Sequence, residues 1–161
     1  MNTSAQVYDF AAQILASQEF FDRSTSTLDE SDSEFRPRDE MMTVAQQVAH
    51  TAHTLEWFLD GATKPDGFDL NFEEQAKAIS RVNSLTIARQ KLGAAFVRVV
   101  DFLRSQTPEQ LARQLPPGPI MAGQPVSDIV WAMVEHTAHH RGVLTVYTRL
   151  LGKVPPMPYG G

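Results

Sequence analysis

Between residues 127 and 151 the chain sets Ile129, Met133, His136, His140, Val143, Tyr147 and Leu151 at intervals of three and four. That spacing places them on one face of a single long helix. Such a helix is stable only when its apolar face is covered, so the segment requires partner elements to pack against. Ser127 is a good N-cap, Gly152 suits the position just past the end, and Pro155-Pro156 prevents continuation. The row also carries two imidazoles into a face that is otherwise built for burial. A buried imidazole is costly unless something satisfies its nitrogens.

Three further helices supply the partners. Residues 4–22 repeat Val7, Phe10, Ala11, Ile14 and Phe21 at helical spacing, with Thr3 or Ser4 as the cap. The polar, aperiodic stretch STSTLDESDSEFRPRDE over 24–40 is a loop, and Pro37 suits entry to the next helix. That second helix is expected over 38–60, with Met41, Ala45, Val48, Ala52, Leu55 and Leu59 as its main stripe and Gly61 as its stop. A third is expected over 71–104, capped by Asn71 and carrying Ile79, Val82, Leu85, Leu92, Phe96, Val99 and Phe102, with a bend or break near Gly93. The Pro- and Gly-rich stretch that follows reads as loop, with a short helical turn over 108–114. Nowhere does the alternation of a strand appear, and no solenoid-like period is present. The expectation is an all-α, single-domain helix bundle over residues 1–161.

Composition narrows the function. A chain of 161 residues with 42% hydrophobic side chains can build a full core without a structural metal. A net charge of −5 and no basic run argue against a nucleic-acid partner. The absence of cysteine removes disulfides and thiol nucleophiles and fits a reducing cytoplasm. The N-terminus has no signal-peptide pattern, and no apolar stretch approaches the ~18 residues of a membrane span.

An i, i+4 histidine pair lets two imidazole nitrogens converge on one divalent ion. Its alternative is a pair of core histidines bonded to carboxylates or hydroxyls. Two imidazoles are too few for a zinc-like site, and a third ligand could come from either His50 or His53 on the second helix. Periodicity favours His53, because His50 lies nearly opposite the Met41–Val48–Leu55 stripe. His139 lies near the histidine face of the fourth helix. Thr137 stands where a HExxH protease carries its general base, and no Glu-x-x-His of the di-iron bundles is present.

The motif His136-Thr-Ala-His-His140-Arg141-Gly142, its tail Val146-Tyr147-Thr-Arg149-Leu-Leu-Gly152-Lys-Val-Pro155-Pro156, and Thr43 placed seven residues before His50 resemble the DinB-like superfamily over most of the chain. The resemblance implies a four-helix bundle with one long crossover connection. It also implies a mononuclear divalent metal on His50, His136 and His140, which overrides the periodicity preference for His53. Many such proteins carry Gln where this chain has Val143, so a polar group beside the site is absent here. Some members resemble thiol transferases that use bacillithiol, mycothiol or glutathione, or isomerise maleylpyruvate, and members often form homodimers.

Three neutral imidazoles leave an ion its full charge, so a water or thiol at an open position becomes acidic. The expected function is therefore a metal-dependent transferase, of thiol-transferase kind, or a hydrolase acting on a small molecule. A low-molecular-weight thiol would be an external partner, since the chain has none of its own. The other reading is a non-catalytic stress-response bundle with a structural ion, closed by His53, His139 or a carboxylate. Zinc, nickel and iron all suit such ligands. Tyr8, Trp57, Glu135, Arg141 and Tyr147 are candidate neighbours of the site, with Tyr147 the foremost as a wall. Arg141 and Arg149 are expected to point away from the histidine row, and no residue is singled out as catalytic.

Overall fold

The computed structural model describes residues 9–160, and it is all-helical, with no named strand among them. Its helices are α1 (Phe10–Ser24), α2 (Val44–Thr63), α3 (Phe72–Ser80), α4 (Leu85–Ser105), α5 (Pro108–Leu111) and α6 (Asp128–Leu150). The four long ones, α1, α2, α4 and α6, form the bundle, in which α1 and α2 each pack against both α4 and α6. Phe21, Ile14, Leu55, Leu85, Leu92, Phe96, Ile129, Met133, Leu144 and Tyr147 are fully buried between them. Each such side chain contributes about 1.5–3 kcal/mol of transfer free energy. These residues belong to one continuous apolar core.

Local chemistry sets the helix ends, and several differ from the sequence reading. The Asp9 carboxylate accepts from the Ala12 amide and caps α1, while the cap expected at Thr3 or Ser4 lies outside the described residues. α2 begins at Val44 rather than 38, because Thr43 and Gln46 form a reciprocal capping box. Gly61 does not stop α2. It is buried inside the helix, and a Cβ there would collide with the Phe68 ring, so its role is close packing. The expected third helix is two. It breaks at 81–84, where Ser84 caps α4 by accepting from the Ile87 amide, and not near Gly93. Asn71 caps α3 as expected.

At the start of α6, Ser127 makes no side-chain capping bond. Its far end closes as the sequence indicates. Gly152 takes φ +75°, and the amides of Gly152 and Lys153 donate to the carbonyls of Arg149 and Thr148, a Schellman closure. Lys153 then grips the buried Asp32 carboxylate at 2.5 Å, tying the C-terminal segment to the loop after α1.

Candidate metal centre

α2 and α6 lie side by side, and their facing residues build a polar pocket inside an apolar bundle. From α6, His136 and His140 present their Nε2 atoms one turn apart, 3.2 Å from each other. From α2, His50 brings its Nε2 to 3.3 Å from that of His136. One ring nitrogen from each of His50, His136 and His140 lies within 4.8 Å of the others, a group able to hold a metal ion. His53 and His139 are not part of it. The His139 side chain is exposed and stands edge-on to the His140 ring, with centroids 4.9 Å apart. His53 lies one turn further along α2, and its Nε2 is buried without a hydrogen-bond partner.

Proton bookkeeping shows why the arrangement suits a cation. The Gln47 side-chain oxygen can only accept, so His140 Nδ1–H donates to it at 2.5 Å. A neutral His140 then offers a bare lone pair at Nε2. His136 Nε2 faces both other rings, and one N–H can serve only one of them. At least one of the two contacts is therefore left without a hydrogen bond unless a ring becomes charged. Burial, reinforced by the neighbouring imidazoles, opposes that. It pushes His136 down to about 4 and His140 to about 3, and also lowers His50. A divalent cation satisfies all three lone pairs at once. Two of the three separations also match in length: nitrogens about 2.0–2.1 Å from a tetrahedral ion stand about 3.3–3.4 Å apart, close to the 3.2 and 3.3 Å from His136 to the other two rings.

Gln47 is a site residue that the sequence reading missed. It is buried, orients His140, and hydrogen-bonds the Tyr147 hydroxyl, which in turn donates to the Met42 carbonyl at 3.1 Å. The signal was its position three residues before His50, on the same side of α2. The fold sets His50, and not His53, beside His136 and His140, because the buried arc of α2 is broader than its apolar stripe. Thr43, Gln47, Thr51 and Thr54 are all buried polar residues, and they extend that arc towards His50. Hydrophobic periodicity does not register such residues.

The other expected neighbours are elsewhere. Tyr8 lies outside the described residues. Tyr147 is fully buried, edge-on to Phe35 with centroids 5.9 Å apart, so it is a core aromatic behind Gln47 and not a pocket wall. Trp57 packs on Phe58, Phe68 and Phe72, and its indole N–H donates to the Asp69 carbonyl. Glu135 is exposed, Arg141 sits over the Phe20 ring, and Arg149 donates to the Thr145 carbonyl. The two arginines thus point away from the site as expected. Val143 packs against the core.

A cleft of about 470 Å³ opens beside the group. His50 forms part of its wall, with Arg36, Met41 and Met42 from the segment before α2 and Phe72 and Ile79 from α3. Of these, Met41 and Ile79 were read as stripe positions of long helices, and Arg36, Met42 and Phe72 were not singled out, because the wall comes from a loop and from a helix that was merged with its neighbour.

No curated protein matches the chain. A family model described as the DinB superfamily matches residues 13–144, more than half the chain and a span that includes His50, His136 and His140. With its helical bundle and its histidine group, the chain belongs to the DinB superfamily.

Proposed function

We propose that His50, His136 and His140 hold one divalent ion, and that the protein is a metal-dependent enzyme acting on a small molecule, a transferase of thiol-transferase kind or a hydrolase. The observation that carries this reading is the cleft of about 470 Å³ with His50 in its wall. A structural ion has no use for an adjacent cavity, and the buried apolar core already supplies the stability that such an ion would contribute. Among the described residues the group contains no fourth ligand.

The roles of the chain's own residues follow. Gln47 fixes the His140 tautomer and ring angle, and Tyr147 steadies Gln47 from behind. Of the three imidazoles, His50 lines the cleft, so a ligand entering there meets that ring. Met41, Met42, Phe72 and Ile79 give the cleft apolar walls, and Arg36, Asp39 and Glu40 place charges of both signs in its lining. The ion, whether zinc, nickel or iron, supplies Lewis acidity for a water or thiol. A low-molecular-weight thiol is the partner proposed for the transferase branch, because the chain has no cysteine. That composition also supports a cytoplasmic location, and no described helix is long and apolar enough to cross a membrane. A homodimer belongs to the same proposal. Trp131, Val146 and Leu150 share the outward side of α6, and Trp131 is 71% exposed.

Cobalt substitution tests the open position. Cobalt-loaded protein is expected to gain a thiolate charge-transfer band on addition of glutathione or bacillithiol, and His136→Ala protein is not. A cobalt spectrum that no added thiol or azide changes means a closed, structural ion.

A further inference from the structure

The nine-residue helix α3 lies across α2 and is held lightly. Ile79 is its one buried residue. Its C-terminal end is tied by Gln46 Nε2, which donates to the Ser80 carbonyl at 3.0 Å, and its N-terminal end by Phe72 against Trp57. Cavities lie on both sides of this contact. One is the cleft of about 470 Å³ at His50, and the other has a volume of about 320 Å³. They share two wall residues, His53 of α2 and Ile79 of α3. Ala49, Ala52, Ala78 and Ala94, with Val82, form the apolar part of the second, and Glu56 and Lys91 stand in its wall as charged residues. Between the two sits His53 Nε2, buried and without a partner. An orphan of that kind costs on the order of 1–3 kcal/mol and calls for a ligand or water to satisfy it.

We propose that the two cavities act as one binding site for an elongated small molecule with an aliphatic body and an amide group partway along it, and that α3 is the movable cover of that site. The reacting end lies in the cleft at His50, so the inference rests on the function proposed above. The body passes under α3, displacing Ile79, into the alanine-lined lobe. An amide both donates and accepts, so it satisfies His53 Nε2 in either tautomer. The alanines leave room for methylenes, which bulkier side chains would fill. The opening of α3 breaks only one buried apolar contact and the bonds at its two ends, a small cost for a local motion.

The test is calorimetric titration of the full chain with N-methyl alkanamides, from hexanamide to dodecanamide, with metal content measured on the same samples. Affinity is expected to rise about fourfold per methylene and to level off once the second lobe is full. Amide hydrogen exchange in α3 is expected to be faster than in the bundle helices of the free protein and to slow in the complex. Ala78→Leu, at an exposed residue, should level off at a shorter chain. His53→Leu should weaken every amide about tenfold while keeping the dependence on chain length. Affinity independent of chain length, an Ala78→Leu series identical to the wild type, or undiminished amide binding by His53→Leu would each overturn the proposal. Amide binding by protein that never carries metal would sink the metal reading and leave this one standing. Metal-loaded protein with a flat series would do the reverse.

Discussion

Replacing Gln47 with Leu removes the acceptor for His140 Nδ1–H without changing the bulk of the side chain much. His140 is 6% exposed, so no solvent replaces the lost bond. The orphaned N–H costs about 1–3 kcal/mol in the metal-free protein, and for a domain of this size each kcal/mol moves Tm by about 2–4 °C. The larger consequence is for the ion. Loss of a residue that orients a ligand weakens metal binding about 10–100-fold. At free metal well above both dissociation constants, the stabilisation that metal confers then falls by about 1.4–2.7 kcal/mol. The assay is urea unfolding of wild-type and Gln47→Leu protein, each with and without zinc at buffered free concentration. Gln47→Glu keeps an acceptor at the same place and should retain the zinc-dependent gain. An unchanged zinc-dependent gain in Gln47→Leu would refute the claim that Gln47 presents His140 to an ion.

Three other perturbations probe separate parts of the account. Gly61→Ala should destabilise by about 1–3 kcal/mol in urea unfolding, because the new Cβ meets the Phe68 ring; a gain of about 0.5–1 kcal/mol, the helix-propensity benefit, would show that the ring contact is not rigid. His139→Ala should leave metal content unchanged, as measured by elemental analysis, since that ring stands outside the group. Acid should weaken the metal-free fold. The folded values for His136 and His140 lie below the ordinary 6.5, at about 4 and about 3, so the neutral rings' contribution is fully present above about 6.5 and is lost as pH falls towards those values. Urea midpoints of metal-free protein should therefore drop below pH 6.5, and less steeply in His140→Leu.

Much of the site was legible because its chemistry sits on a regular element. The row from Ile129 to Leu151 gave α6 its face, and His136 and His140 fell on it at a metal-binding interval. α2 was harder to read. Its buried arc includes Thr43, Gln47, Thr51 and Thr54, and only the motif resemblance, with Thr43 seven residues before His50, pointed to the histidine that the fold sets beside His136 and His140. Thr43 also marks where α2 begins, which periodicity put too early because Met41 extended the apolar stripe. The break between α3 and α4 was missed because Ile79, Val82 and Leu85 continue the helical rhythm across it. The cap formed by Ser84 outweighs that rhythm. Gly61 illustrates the opposite error, a residue read as a stop that serves to admit an aromatic ring. The cleft could not be read at all, since its walls come from segments that only tertiary packing brings together.

The most direct test of the central claim is metal stoichiometry, measured by elemental analysis on untagged wild-type, His50→Ala, His136→Ala and His140→Ala proteins after equilibration with zinc. One ion per wild-type chain, lost to the same extent in each variant, is the predicted result. A wild-type chain that binds no stoichiometric ion, or a His50→Ala chain that keeps its full complement, would contradict a centre built from these three imidazoles.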